Sequence, residues 1–235
     1  MINTFQKIIK RNRYKISIFG LMAFGSLMCL LLVAARIAYS DSGRYTGLVW
    51  NLFLAWIPFL LAYLAYAFSL RKTLLYLVLP VAVFLWLIFF PNAPYILTDL
   101  QHLASQTSGA PLWYDVIVMV WFSWTGLLLG LVSLYLMHDI VHRTFGRWLG
   151  WAFVFVVSGL SSFGVYLGRF VRFNSWDLLG DPKEIVVTIL GLAIDPSKRL
   201  VAFTILFAMF YLFVYLTLYS FAHLLQEHST LATAD

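Results

Sequence analysis

Residues 112–137 read LWYDVIVMVWFSWTGLLLGLVSLYLM, and Asp115 is the only charged side chain in the run. A helix needs about 20 predominantly apolar residues to cross a hydrocarbon core, so this segment is long enough to span a membrane. Five further runs, at residues 16–39, 48–69, 73–90, 148–169 and 200–223, have the same character. A seventh apolar piece, residues 185–194, is bounded by Pro182 and Pro196 and is too short to cross, which predicts an interfacial or re-entrant helix. The expected fold is all-α: a polytopic membrane bundle of about six transmembrane helices plus that short helix, with seven spans as the alternative.

Composition agrees. Charged residues are 11% of the 235-residue chain, hydrophobic residues 62% and aromatic residues 18%. An ordinary soluble domain is about 25% charged, so the soluble class is excluded. The net charge of +6 is not the footprint of a nucleic-acid binder, because the Lys and Arg residues sit in short gaps between apolar runs and form no basic face. The single cysteine, Cys29, lies in the first apolar run, which rules out an internal disulfide framework and a metal site built on several thiolates. With no internal repeat or linker in view, the chain reads as one membrane domain over residues 16–223, between a basic amino terminus (1–15) and a polar tail (224–235) expected to fray.

Orientation is read from the loops, since cytoplasmic loops are enriched in Lys and Arg. Lys7, Lys10, Arg11, Arg13 and Lys15 precede the first span, Arg71 and Lys72 join the second to the third, and Arg143 and Arg147 join the fourth to the fifth. These nine fall on one side against seven on the other, which predicts cytoplasmic termini in a bacterial cytoplasmic membrane. No small-residue cleavage pattern follows the first run before Arg36, so that run is expected to be retained as a helix. Trp50, Trp113 and Trp176 near one boundary and Trp148 and Trp151 near the other suit interfacial aromatic belts, the alternative being a sugar or lipid-tail site.

The same topology brings Asn51, Asn92, Asp115 and Arg169 to one face, joined by Asp99, His102, Asp177 and Asp181 from the connecting loops. Polar groups at bilayer depth are costly unless paired or solvated, so their gathering predicts a shared cavity or network. Four motifs there, NLFLAWIPF (51–59), FPNAPYILTDLQHL (90–103), PLWYDV (111–116) and GVYLGRFVRFNSWD (164–177), resemble the bacterial membrane family known as domain of unknown function 1361. The resemblance implies a multi-pass membrane protein and transfers no catalytic residue.

The residues themselves offer several chemistries. Asp99 and His102, three apart, would share a helix face and supply two ligands of a zinc-type site, with Asp115 or Asp177 completing it. Without metal, Asp99, His102, Asp115 and Asp177 are the acid–base candidates. The structural alternative has Thr98 or Asp99 capping a short helix and His102 bonding a carboxylate. Tyr166, Arg169 and Arg172 would lie along one helical face, making the two arginines a clamp for phosphate or carboxylate, with Asn92, Tyr166 and Asn174 as further ligand contacts. Against the clamp stands a buried ion-pair network of those arginines with Asp99, Asp115 and Asp177. On the opposite face, HDIVH (138–142) has the histidine spacing of zinc helices but lacks the required glutamate.

Two function classes follow. One is an enzyme or binder acting at the outer face on an anionic lipid headgroup or a lipid-linked substrate. The other is non-enzymatic, a scaffold or assembly partner of a membrane complex, or a small-solute transporter. Transport is disfavoured because polar residues cluster at one end of the spans and not at midspan. No nucleotide-binding loop, haem attachment or thiol pair specifies a cofactor, and the sequence names no partner beyond the bilayer and that headgroup.

Overall fold

The computed structural model describes residues 2–69, 72–104, 109–175, 177–180 and 182–231, and every regular element among them is helical. Arg71, Trp176 and Asp181 lie outside these residues. In chain order the elements are α1 (Ile2–Ser40), α2 (Thr46–Phe68), α3 (Lys72–Phe89), α4 (Asn92–Tyr95) running into a 3₁₀ helix (Ile96–Ala104), and α5 (Leu112–Phe145). Then come α6 (Arg147–Tyr166) with a π turn (Leu167–Val171), α7 (Asp177–Gly180), α8 (Pro182–Ile194) and α9 (Lys198–Leu231).

Six of the described stretches are long and apolar enough to cross a membrane: Ile16–Ser40, Thr46–Phe68, Pro80–Leu103, Leu112–Phe145, Arg147–Val171 and Lys198–Leu224. The molecule is a multi-pass membrane protein. α8, at 13 residues, is about 20 Å long and falls short of a hydrocarbon core about 30 Å thick. α9 runs unbroken through Leu231, into the tail expected to fray, because neither Gly nor Pro interrupts residues 198–231.

α5 is the hub. Its apolar window is 61% buried against 17% for those of α1 and α9, so these two outer helices turn most of their surface toward lipid. A helix that is apolar all round belongs either inside a protein or in a bilayer, and both solutions occur in this one molecule.

What positions the polar site is the segment after α3. Proline removes a backbone donor and disfavours helical geometry before it, and the run Phe90-Pro91-Asn92-Ala93-Pro94 ends the long helix. The chain then continues through α4 and the 3₁₀ helix, a proline-bent hook packed against α2 and α5, with Phe90, Ala93 and Ile96 fully buried. Irregular backbone at this depth is tolerated only where protein covers it. Glycines make the necessary room: a Cβ on Gly126 of α5 would lie 2.7 Å from the Ile96 side chain, and one on Gly164 of α6 would lie 2.6 Å from Pro91. The GLLLG spacing in α5 therefore receives the hook, a closer approach than the helix–helix seam such spacing suggests.

The end of α6 departs from the expected geometry. Helical hydrogen bonding loosens into the π turn, and Arg172 follows in the left-handed region at φ 69° and ψ 29°. Tyr166, Arg169 and Arg172 therefore do not share a face, because a left-handed residue reverses the direction in which the chain leaves the helix.

Adding a methyl group at Gly126 or Gly164 should lower unfolding stability by about 1–3 kcal/mol, the usual cost of overpacking. Gly159→Ala, where the added Cβ meets nothing within 4 Å, should not. Thermal unfolding of the three alanine variants in detergent checks this.

Candidate functional site

The hook carries Tyr95, Thr98, Asp99 and His102 to the end of α6, where the π turn presents Arg169. Arg169 Nη2 makes a close ion pair with Asp99 Oδ1, and its Nε donates to Thr98 Oγ1 at 2.9 Å. Its guanidinium lies 4.4 Å from the centre of the Tyr95 ring. The other carboxylate oxygen, Asp99 Oδ2, accepts from Asn51 Nδ2 of α2 at 2.9 Å. Asp99 is 3% exposed. A carboxylate so deep in the protein is tolerable because both oxygens are occupied and the countercharge is in contact.

His102 stands at the rim with its side chain half exposed. Its Nε2 lies 3.3 Å from Arg169 Nη1 and 3.6 Å from Asp99 Oδ1, the latter too long for a hydrogen bond. Arg44, from the loop before α2, donates from Nη2 to the His102 carbonyl at 2.8 Å. Thr98 and Asp99 do not cap a helix: Thr98 bonds back to the Tyr95 carbonyl at 2.7 Å, and Asp99 is committed to Arg169 and Asn51.

Asp115 belongs to a second buried pair. Arg36 of α1 donates to it through Nε (2.7 Å to Oδ1) and Nη2 (3.3 Å to Oδ2), a two-point grip suited to a guanidinium, and Arg36 is 1% exposed. Tyr45 donates its hydroxyl to Asp115 Oδ2 at 3.1 Å and lies under the Arg36 guanidinium at 4.5 Å. Burial, reinforced by the Asp115 charge, holds the Tyr45 phenol above its ordinary pKa, so it stays protonated as that donor. Arg36 enters the charge balance of the sequence but carries no local mark of a site residue, since its partner lies 79 positions away.

The remaining candidates scatter. Asp177 accepts from the Asn174 backbone amide at 2.7 Å and from Asn174 Nδ2 at 3.2 Å, closing a turn. Asn92 donates to Ser175 Oγ at 2.8 Å and to the Phe89 carbonyl at 2.9 Å. Tyr166 is buried between Phe170 and Phe203, with ring centres at 4.8 and 5.9 Å. Arg172 is exposed, and its side chain makes no ion pair or hydrogen bond among the described residues. Arg172 follows the π turn in the left-handed region and, unlike Arg169, lines neither cavity at this end of the bundle. Nor do Asp115 and Asp177 join Asp99 and His102: among the described residues no three His, Cys, Asp or Glu side chains are grouped to hold a metal.

In HDIVH, His138 Nδ1 pairs with the Tyr215 hydroxyl at 2.7 Å, and Asp139 pairs with Arg143 on the helix surface. These interactions tie α5 to α9 and close its last turn.

Beside the Asp99–Arg169 pair lies a cavity of about 360 Å³, lined by Arg44, Tyr45, Trp50, Asn51, Tyr95, Asp99, His102 and Arg169 among others. Its lining holds two arginines against one carboxylate. A smaller cavity of about 200 Å³ adjoins it and shares Trp50, Asn51 and Tyr95. An excess of positive charge in a concave, partly desolvated site favours an anionic ligand.

These features define a polytopic helical membrane protein with a buried ion pair under a polar cavity at one end of the bundle. The chain matches the family described as Protein of unknown function (DUF1361) over residues 50–218, and it belongs to that family. No curated protein and no solved structure matches it.

Removing Asp115 or Arg36 alone should cost about 3–5 kcal/mol, since each leaves a buried charge without its partner. Arg172→Gly should do the opposite and stabilise by about 1 kcal/mol, by relieving a left-handed side-chain residue. Unfolding curves of the purified variants in mixed micelles measure both.

Proposed function

We propose that this protein binds the anionic headgroup of a lipid or lipid-linked substrate at the outer face of a bacterial cytoplasmic membrane. The observation that carries the reading is the cavity of about 360 Å³ whose lining sets Arg44, Arg169, His102 and Asn51 beside a single carboxylate, Asp99. Six spans return the chain to its starting side, and the amino-terminal run of five Lys and Arg residues supports the reading with cytoplasmic termini and an outward-facing cavity. Arg44 is the principal anion contact in this reading. Arg169, held by Asp99 and Thr98, supplies a fixed second donor set, and the half-exposed His102 ring lies at the rim. Asp115 and Asp177 have structural roles, the first in the pair with Arg36 and the second in its own turn.

One observation favours a second reading, a scaffold for another membrane complex. Both deep carboxylates, Asp99 and Asp115, already have arginine partners, as expected of charges that lock helices together.

Titrating the detergent-purified protein with dioleoyl phosphatidylglycerol should raise its Tm, and phosphatidylcholine should not. Arg44→Ala should remove most of that rise, measured from the variant's own lipid-free Tm, since Arg44 also bonds the His102 carbonyl and lies over the Tyr45 ring. Equal shifts with both lipids, or an undiminished shift in Arg44→Ala, would move the weight to the scaffold.

A further inference from the structure

The smaller cavity differs in chemistry from its neighbour. None of its lining residues is charged, so ionic recognition is not its task. Three asparagines line it, Asn51, Asn92 and Asn174. Each turns its amide nitrogen to a protein acceptor: Asn51 to Asp99 Oδ2, Asn92 to Ser175 Oγ and the Phe89 carbonyl, and Asn174 to Asp177 Oδ2. The amide orientations are thereby assigned by the network, and among the described residues no donor engages any of the three side-chain carbonyls. Three asparagines with unengaged carbonyls among the lining of one uncharged cavity are complementary to a ligand rich in O–H donors. Trp50, 53% exposed, and Tyr95 add ring faces suited to the C–H faces of such a ligand. A cavity of about 200 Å³ has room for several waters, and so for a small polyol.

From this we infer that the smaller cavity seats a hydroxyl-bearing group, so that the two cavities together take a polyol phosphate headgroup carried on a lipid. The inference rests on the anion reading of the larger cavity and names the class of ligand. Trp50, Asn51 and Tyr95 line both spaces, so the phosphate beside Arg44 and the hydroxyls beside the asparagines belong to adjacent parts of one headgroup. Ile185 and Ile189 of α8 form an apolar wall of the smaller cavity, and Val187 and Ile194 of the same helix are exposed. α8 thus offers a hydrocarbon chain an apolar path from the headgroup seat to the bilayer.

Native mass spectrometry of the full chain tests this with three lipids of identical acyl chains. Phosphatidylglycerol carries phosphate and polyol, phosphatidic acid carries phosphate alone with at least as much negative charge, and phosphatidylcholine is neutral overall. Charge alone would rank phosphatidic acid first. The expected order puts phosphatidylglycerol about tenfold tighter than phosphatidic acid, the worth of one or two hydrogen bonds. Asn174→Ala and Asn174→Leu, at a residue that lines only the smaller cavity, should bring phosphatidylglycerol down to the level of phosphatidic acid and leave phosphatidic acid unchanged. Phosphatidic acid binding as tightly as phosphatidylglycerol, or both lipids weakening equally in those variants, would overturn the polyol seat. Arg44→Ala should weaken both anionic lipids, and its silence would overturn the anion reading itself. Displacement of phosphatidylglycerol by millimolar glycerol 1-phosphate would overturn the lipid part of the assignment, and retention would support it.

Discussion

The ion pair between Asp99 and Arg169 is the interaction on which the polar end of this bundle depends. It joins the hook after α3 to the loosened end of α6, two pieces of backbone that lack full α-helical hydrogen bonding at that point. A carboxylate 3% exposed has no stable existence there without a partner, and the partner's geometry is set in turn by Thr98 and the Tyr95 ring. The pair also floors the larger cavity. Its structural role and its position beside the larger cavity are therefore two consequences of one contact.

A second pair, Arg36 with Asp115, does for α1 what the first does for the hook. Tyr45 touches both members of that pair and lines the larger cavity, which links the two networks through a single phenol. Each deep carboxylate has a dedicated arginine, and Arg44 is a further arginine lining the larger cavity. That makes Arg44 the informative residue of the cavity to change.

Much of the fold was legible because apolar length is itself the determinant of a membrane span. Residues 112–137 need no partner to declare that they cross, and the shortness of residues 185–194 was enough to exclude α8. Grouping Asp99, His102, Asn51 and Arg169 at one end followed from counting spans alone. The pairing within that group was not legible. Arg36 finds Asp115 across 79 positions, a distance set by packing and invisible to local spacing. The left-handed Arg172 breaks a periodicity that its neighbours offer no reason to doubt, since no glycine marks the position. The glycines of α5 and α6 announced close approach without saying that the visitor would be a proline-rich hook.

A double-mutant cycle on Asp99 and Arg169, read by unfolding in mixed micelles, tests the central dependence most directly. Each alanine variant alone is expected to lose about 3–5 kcal/mol, with the double variant losing far less than the sum because neither leaves an isolated buried charge. Losses that add to within about 0.5 kcal/mol would show that the two side chains act independently, and would contradict the dependence of the polar end on their contact.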